Sequence, residues 1–321
     1  MVGNRGRRRG TGGGQPPDDI TTRQVHFYRW RTVRPEDAGK FNLQQAASLI
    51  GQLQFGTGDR YQEIERGHDF CVWLPPTSGH SLPLRMQLGV SRRSGLPMLE
   101  EAGNISPLSI FERQGLLEVS HVVFFAGNVV GIELNSYGPR ITRLPRYFRT
   151  KFPNELPAIV FEVLLRADVQ EQLMRLREIN LINLRLNRSR VDLDQERDES
   201  MFGTFRALMD NLDAPVVQIM ARSQPRSGRS LPERALDQVR GIARHPDVMS
   251  AADTFKIQGR EEVGDAFEEL DLLRNQLIAS REVARVQGRH RAIDPDAMFL
   301  AIENAHGDMA EEIARATALG R

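Results

Sequence analysis

Hydrophobic and polar positions alternate along Val25-His26-Phe27-Tyr28-Arg29-Trp30, a spacing that predicts a half-buried strand at the start of the folded chain. From Asn42 the period changes. Leu43, Ala46, Ile50 and Leu53 recur at three- and four-residue steps, which predicts a helix with Gly56 just beyond its end. Phe70–Leu74 and Leu82–Val90 read as further strands. The clearest hairpin joins Val119–Phe125 to Val129–Leu134 through Ala126-Gly127-Asn128, where Gly and Asn tolerate the positive φ of a tight turn.

Beyond residue 155 strand and helix patterns alternate, as in βαβ units. Ala158–Leu165 is a nearly unbroken apolar run, expected of a central strand covered on both faces. A helix with Val169, Leu173 and Leu176 on one side follows. Then comes an alternating strand with Ile182, Leu184 and Leu186 facing one way and Asn183, Arg185 and Asn187 the other. Met201, Phe205, Leu208 and Leu212 predict another helix, Val216–Ala221 a strand, 232–243 a helix and 254–257 a strand. Acidic residues crowd 261–271 as a solvated turn leading into a strand. Asp294 and Pro295 are placed to cap and start a last helix whose stripe runs from Met298 through Ile302, Ala305 and Met309 to Ile313.

These patterns predict an α+β fold: residues 1–20 as a disordered Arg/Gly-rich tail, 21–154 as an antiparallel, β-rich N-terminal domain with a helix, and 155–321 as an alternating α/β domain. At 321 residues the chain is long enough for two domains. No apolar run reaches the roughly 18 to 20 residues of a membrane-spanning helix. The arginines at 5, 7, 8 and 9 precede a Gly/Pro-rich stretch rather than the apolar core of a signal peptide, so a cytoplasmic protein is expected. A single cysteine, Cys71, forbids an internal disulfide and any multi-cysteine metal site in one chain. Net charge is +1, so attraction to nucleic acid has to be local. Of 43 basic residues only Lys40, Lys151 and Lys256 are lysines, a bias that a GC-rich genome accounts for.

The sequence contains no Gly-x-x-x-x-Gly-Lys-Ser/Thr loop, no Rossmann glycine fingerprint and no Gly-x-Ser-x-Gly elbow. The carboxylates between Asp192 and Glu199 suit either a hard cation or the start of a helix, and the helix-capping reading is preferred. Glu162 sits on a strong strand, but Val163 and Leu164 follow it where a restriction-type nuclease needs Glu-x-Lys. No cofactor or metal site is expected from local spacing.

The most distinctive stretch is 135–152, which holds Arg140, Arg143, Arg146, Arg149 and Lys151 and no acid. Arginines interleaved with aromatics such as Tyr147 can engage phosphates and stack on unpaired bases. Leu144, Phe148 and Phe152 at four-residue spacing equally describe an amphipathic connector with a wet basic face. Arg185, Arg188 and Arg190 form a second candidate patch. The hairpin with Asn-Ser-Tyr-Gly-Pro-Arg at 135–140, together with Phe-Lys-Ile-Gln-Gly-Arg at 255–260, resembles poorly characterised bacterial proteins carried on mobile elements or in phage-defence regions.

Three functions follow as expectations. The first is an accessory protein contacting DNA, RNA or a nucleoprotein partner through the nine basic and aromatic candidates, in the anti-phage or mobile-element setting that the resemblance implies. The second is a metal-dependent nuclease or hydrolase assembled only by folding, from Glu162, Asp192 or Asp194. The third is a structural protein that self-associates. No membrane partner is expected.

Overall fold

Strand β1 (Ile20–Thr32) is longer than its alternating stretch and is buried on both faces, since Val25, Phe27 and Tyr28 are all in the core with His26 among them. The computed structural model describes residues 20–56, 58–76, 81–111, 113–187, 201–223, 230–286 and 292–319, and of 201–204 and 206 the backbone alone. The candidates Arg188, Arg190, Asp192 and Asp194 and the 1–19 tail lie outside the described residues.

Asn42 caps α1 (Leu43–Gln52): its side-chain oxygen accepts from the N–H groups of Gln44 and Gln45 at 2.9 and 3.0 Å. The meander β2 (Gln62–Glu65), β3 (His68–Trp73) and β4 (Leu84–Arg92) follows. Strands β5 (Met98–Glu101) and β6 (Asn104–Pro107) make a separate two-stranded hairpin. The hairpin of β7 (Leu116–Phe124) and β8 (Val129–Glu133) forms as its turn residues predict, with φ of 74° at Gly127 and 62° at Asn128. Then come α2 (Arg143–Lys151), β9 (Ile159–Val163), α3 (Ala167–Arg175), β10 (Glu178–Asn187), α4 (Met201–Asn211) and β11 (Val216–Arg222). The chain continues through α5 (Glu233–Arg244), α6 (Pro246–Ala251), β12 (Ala252–Arg260), β13 (Glu268–Asp271), β14 (Ile278–Ala284), α7 (Pro295–Asp308) and α8 (Ala310–Leu319). The fold is α+β.

An eight-stranded sheet has the order β14-β1-β8-β7-β4-β3-β2, with β9 also paired to β1, and a four-stranded sheet has the order β11-β10-β12-β13. Among the described residues every strand pair is antiparallel, so the alternating strands and helices are not joined there as parallel βαβ units. Periodicity reports the type of an element but not its direction, and β10 lies between β11 and β12 running against both. Strands β9 and β14 belong to the second half of the chain, yet both complete the first sheet along one edge of β1. The stripe from Met298 to Ile313 is broken at Met309, which closes α7 and begins a second helix.

The large sheet is a middle layer. Tyr28, Val122, Phe124, Val130 and Ile132 face one core cluster, shared with α1, α2 and the inner face of the second sheet, while Val25, Phe27, Val123 and Val129 face another under α7 and α8. Gly131 allows the close approach of α7, because a Cβ there would meet Ile302 Cγ2 at 2.7 Å and Phe27 Cε1 at 3.0 Å.

Pairing of β9 with β1 sets Glu162 opposite Arg29. Its carboxylate accepts from Arg29 Nη2 at 2.6 Å and from Arg31 Nε at 2.7 Å. Burial alone would raise the Glu162 pKa, but the hydrogen bonds and charges of Arg31 and Arg29 outweigh it and hold the group below the usual carboxylate range. Glu162→Gln should therefore cost about 2–3 kcal/mol by urea denaturation, less than a fully buried pair because Arg31 is half-exposed. The contribution is present above the unfolded carboxylate pKa of about 4.3, and it should be lost as pH falls through the lower folded value.

Candidate functional site

After β8 the chain is turned back by Asn135. Its Nδ2 donates to the Val119 carbonyl at 2.8 Å and its Oδ1 accepts from Tyr137 N–H at 3.1 Å. Gly138 then passes against β7, where a Cβ would sit 2.4 Å from Ser120 Oγ. This turn delivers the basic segment to α2, whose Leu144, Tyr147 and Phe148 are buried. Phe148 packs on Phe41 at 5.7 Å between ring centres, and Phe41 on Trp30 at 5.1 Å, so apolar contact fixes which side of α2 faces water.

Tyr147 is therefore not available to stack on a base. It is 0% exposed, its ring meets Phe70 at 5.5 Å and its hydroxyl donates to the Arg60 carbonyl at 3.0 Å. Lys151 is also committed inward, donating to the carbonyls of Gly58 and Tyr61 at 3.2 and 2.9 Å, and burial lowers its pKa against the opposing pull of Asp59. Arg149 is exposed, and Arg143 and Arg146 are half-buried at the helix margin. Arg185 lies elsewhere. It projects from β10 on the face opposite Ile182, Leu184 and Leu186, which share the core with Leu144 and Phe148, and it is 3.9 Å from Asp253. Asn183, Gln218, Lys256 and Glu269 crowd that same face, which is consequently mixed in charge rather than basic. Of the second patch, Arg185 is the one described member, and it is not brought to the α2 margin.

Arg140 goes into a cleft instead. The cleft lies between β1, the 134–142 turn and α6, encloses about 320 Å³ including its open mouth, and is lined by His26, Tyr28, Arg140, Asp247 and Ser250 among others. His26 is 8% exposed, and its Nε2 is buried without a hydrogen-bond partner. Arg140 Nη1 is buried and unpartnered in the same way. Asp247 accepts from Thr142 Oγ1 at 2.6 Å. Burial, and secondarily the Arg140 charge, hold His26 down to about 4, so the ring is neutral near pH 7. Burial likewise raises the Tyr28 hydroxyl, with Arg140 opposing.

No protein-family model matches this chain, and no curated protein does. The site is therefore judged on its own chemistry. Among the described residues no group of three or more His, Cys, Asp or Glu side chains is placed to hold a metal. Glu162, the one described residue of the hydrolase reading, is taken by Arg29 and Arg31. Cys71 is buried and its thiol is pushed up to about 12, chiefly by burial, so it is a poor nucleophile. A second cleft, lined by Arg29, Glu162, Arg240 and Arg244, is structurally spoken for. There Arg240 donates to the carbonyls of Leu173, Met174 and Leu176 at the end of α3.

His26 carried no local signal in the sequence, because its partner in the cleft is more than a hundred positions away. The one available hint was the small residue at Gly138, which lets the turn lie close enough to β7 to aim Arg140 inward. His26 also gives the site a pH signature. Because the folded ring binds a proton only near pH 4 and the unfolded one near 6.5, stability should fall by about 3 kcal/mol as pH drops from 6.5 to 4. Urea denaturation across that range should show the slope, and His26→Phe should flatten it.

Proposed function

We propose that this chain is an accessory binding protein that contacts nucleic acid, or a nucleoprotein, through the solvent margin of α2. One observation carries the reading: the apolar seat of Leu144, Tyr147 and Phe148 turns Arg143, Arg146 and Arg149 toward the outside of a segment that contains no acid. Guanidinium groups in a row along one helix side suit phosphate contact, which needs no base-specific geometry. Tyr147, Lys151 and Arg185 are dropped from the set and Arg140 is assigned to the cleft. A bacterial setting on mobile elements or in phage defence belongs to this proposal as the resemblance implies it.

Fluorescence anisotropy with duplex DNA and with single-stranded RNA tests the reading. Binding should weaken steeply with salt, and each of Arg143→Gln, Arg146→Gln and Arg149→Gln that removes a phosphate contact should reduce the log–log slope by about 0.9 on a duplex. Absence of binding to either probe at low salt sinks it.

Self-association is a second reading, favoured by the β5–β6 hairpin. Both strands are exposed along their whole length, and Met98, Leu99, Ile105 and nearby Phe111 are 57, 47, 72 and 79% exposed. An isolated two-stranded hairpin is marginal in water, and one that displays three large apolar side chains, with Phe111 beyond its end, gains from being covered. Light scattering should then show a dimer or larger species that Met98→Ser with Ile105→Ser returns to monomer. A wild-type chain that is monomeric at every concentration removes this reading.

A further inference from the structure

We propose that the cleft between β1, the 134–142 turn and α6 is a binding site for a small oxyanion, a carboxylate or a phosphate group, held by the Arg140 guanidinium and the His26 imidazole. The argument starts from what the cleft leaves unmet. Arg140 Nη1 and His26 Nε2 are its two buried side-chain atoms without hydrogen-bond partners among the described residues. The first is an obligate donor and the second can donate as the Nε2–H tautomer. An unmet donor in a buried position costs about 1–3 kcal/mol, more when it is charged, so the pair is unfavourable until something accepts from it.

The acids around His26 do not fill that role. From β8, Glu133 makes an ion pair with Arg23 at 3.2 Å and a hydrogen bond with His121 Nδ1 at 2.7 Å, so its charge is already matched. From α6, Asp247 accepts from Thr142 Oγ1. Tyr28, the remaining titratable neighbour, is a neutral phenol on β1 itself. Arg140 therefore has no carboxylate partner among the described residues, although Arg23, Arg29, Arg31, Arg85, Arg93 and Arg260 each have one. A water molecule could accept from both donors but would leave the guanidinium charge uncompensated, whereas an oxyanion satisfies hydrogen bonds and charge together. Ser250, on the wall of the cleft, donates its hydroxyl to the Asp247 carbonyl at 3.0 Å and so leaves the anion to Arg140 and His26. Because His26 is neutral near pH 7, the bound anion is balanced by Arg140 alone, and acidification strengthens binding as the ring takes up a proton. This site is separate from the α2 margin and does not rest on the nucleic-acid reading.

The test is isothermal titration of the full-length chain in a chloride buffer with sulfate, inorganic phosphate and acetate, together with thermal unfolding at the same ligand concentrations. Sulfate does not titrate between pH 5 and 8, so its affinity should rise toward pH 5 through the protein alone. Arg140→Gln should weaken binding about tenfold or more, His26→Phe should weaken it severalfold and abolish its pH dependence, and Arg149→Gln should leave it unchanged. If Arg140→Gln does not fold, Arg140→Lys takes its place, keeping the charge while losing the fork and about half the effect. Binding of sulfate and phosphate without acetate assigns a phosphate group, and acetate alone assigns a carboxylate. The proposal is overturned if none of the three binds at tens of millimolar, or if binding survives both cleft variants undiminished. Loss of nucleic-acid binding in the Arg149 variant with intact sulfate binding would separate the two surfaces.

Discussion

Strand β1 is the constraint on which the architecture depends, because both of its edges are occupied and both of its faces are covered. One edge carries β8, and the other carries β14 and β9 end to end. The junction is held at a single residue: Phe27 N–H donates to the Leu277 carbonyl, its own carbonyl accepts from Leu164 N–H, and Leu277 N–H donates to the Leu164 carbonyl. Val25 and Phe27 point to the layer of α7 and α8, while His26 and Tyr28 point to the opposite layer. Over Val25–Arg29, where both edges are paired and both faces are apolar, the strand has no freedom to slip, since a shift of one residue would exchange the two faces.

That rigidity explains how arginine is used. Composition alone attributes the excess of Arg over Lys to codon bias, yet in the fold guanidinium groups repeatedly tie distant elements together. Arg85 on β4 reaches Glu303 on α7 through two bonds of 2.7 and 2.9 Å, Arg29 and Arg31 clamp β9 by Glu162, and Arg260 joins β12 to Glu178 on β10. The planar fork suits these half-buried bridges better than a lysine ammonium would. Arg140, directed inward, has no such partner among the described residues.

Much of the secondary structure was legible in the chain. The cap at Asp294, the Gly127-Asn128 turn that joins β7 to β8 and the period-two strand β10 follow from local stereochemistry that the sequence carries openly. What it did not carry was direction and partnership. Strand β14 has the mixed pattern Ile278-Ala-Ser-Arg-Glu-Val-Ala and becomes a strand by completing β1. The burial of Tyr147 was hidden for the same reason: arginine–aromatic interleaving looks alike whether the ring faces water or, as here, Phe70. The cleft was invisible because His26, Arg140 and Asp247 come from three separated segments, and no spacing rule connects them.

The pairing of Ile20–His26 with Ile278–Ala284 also has a consequence for how the protein is made. During synthesis Ile20–His26 leaves the ribosome more than 250 residues before the strand that closes this part of its outer edge. Until then that segment presents one row of unmatched N–H and C=O groups, the kind of edge that recruits other strands. The large sheet cannot close until β14 has been made, which gives its last pairing a long sequence separation of the kind that slows folding.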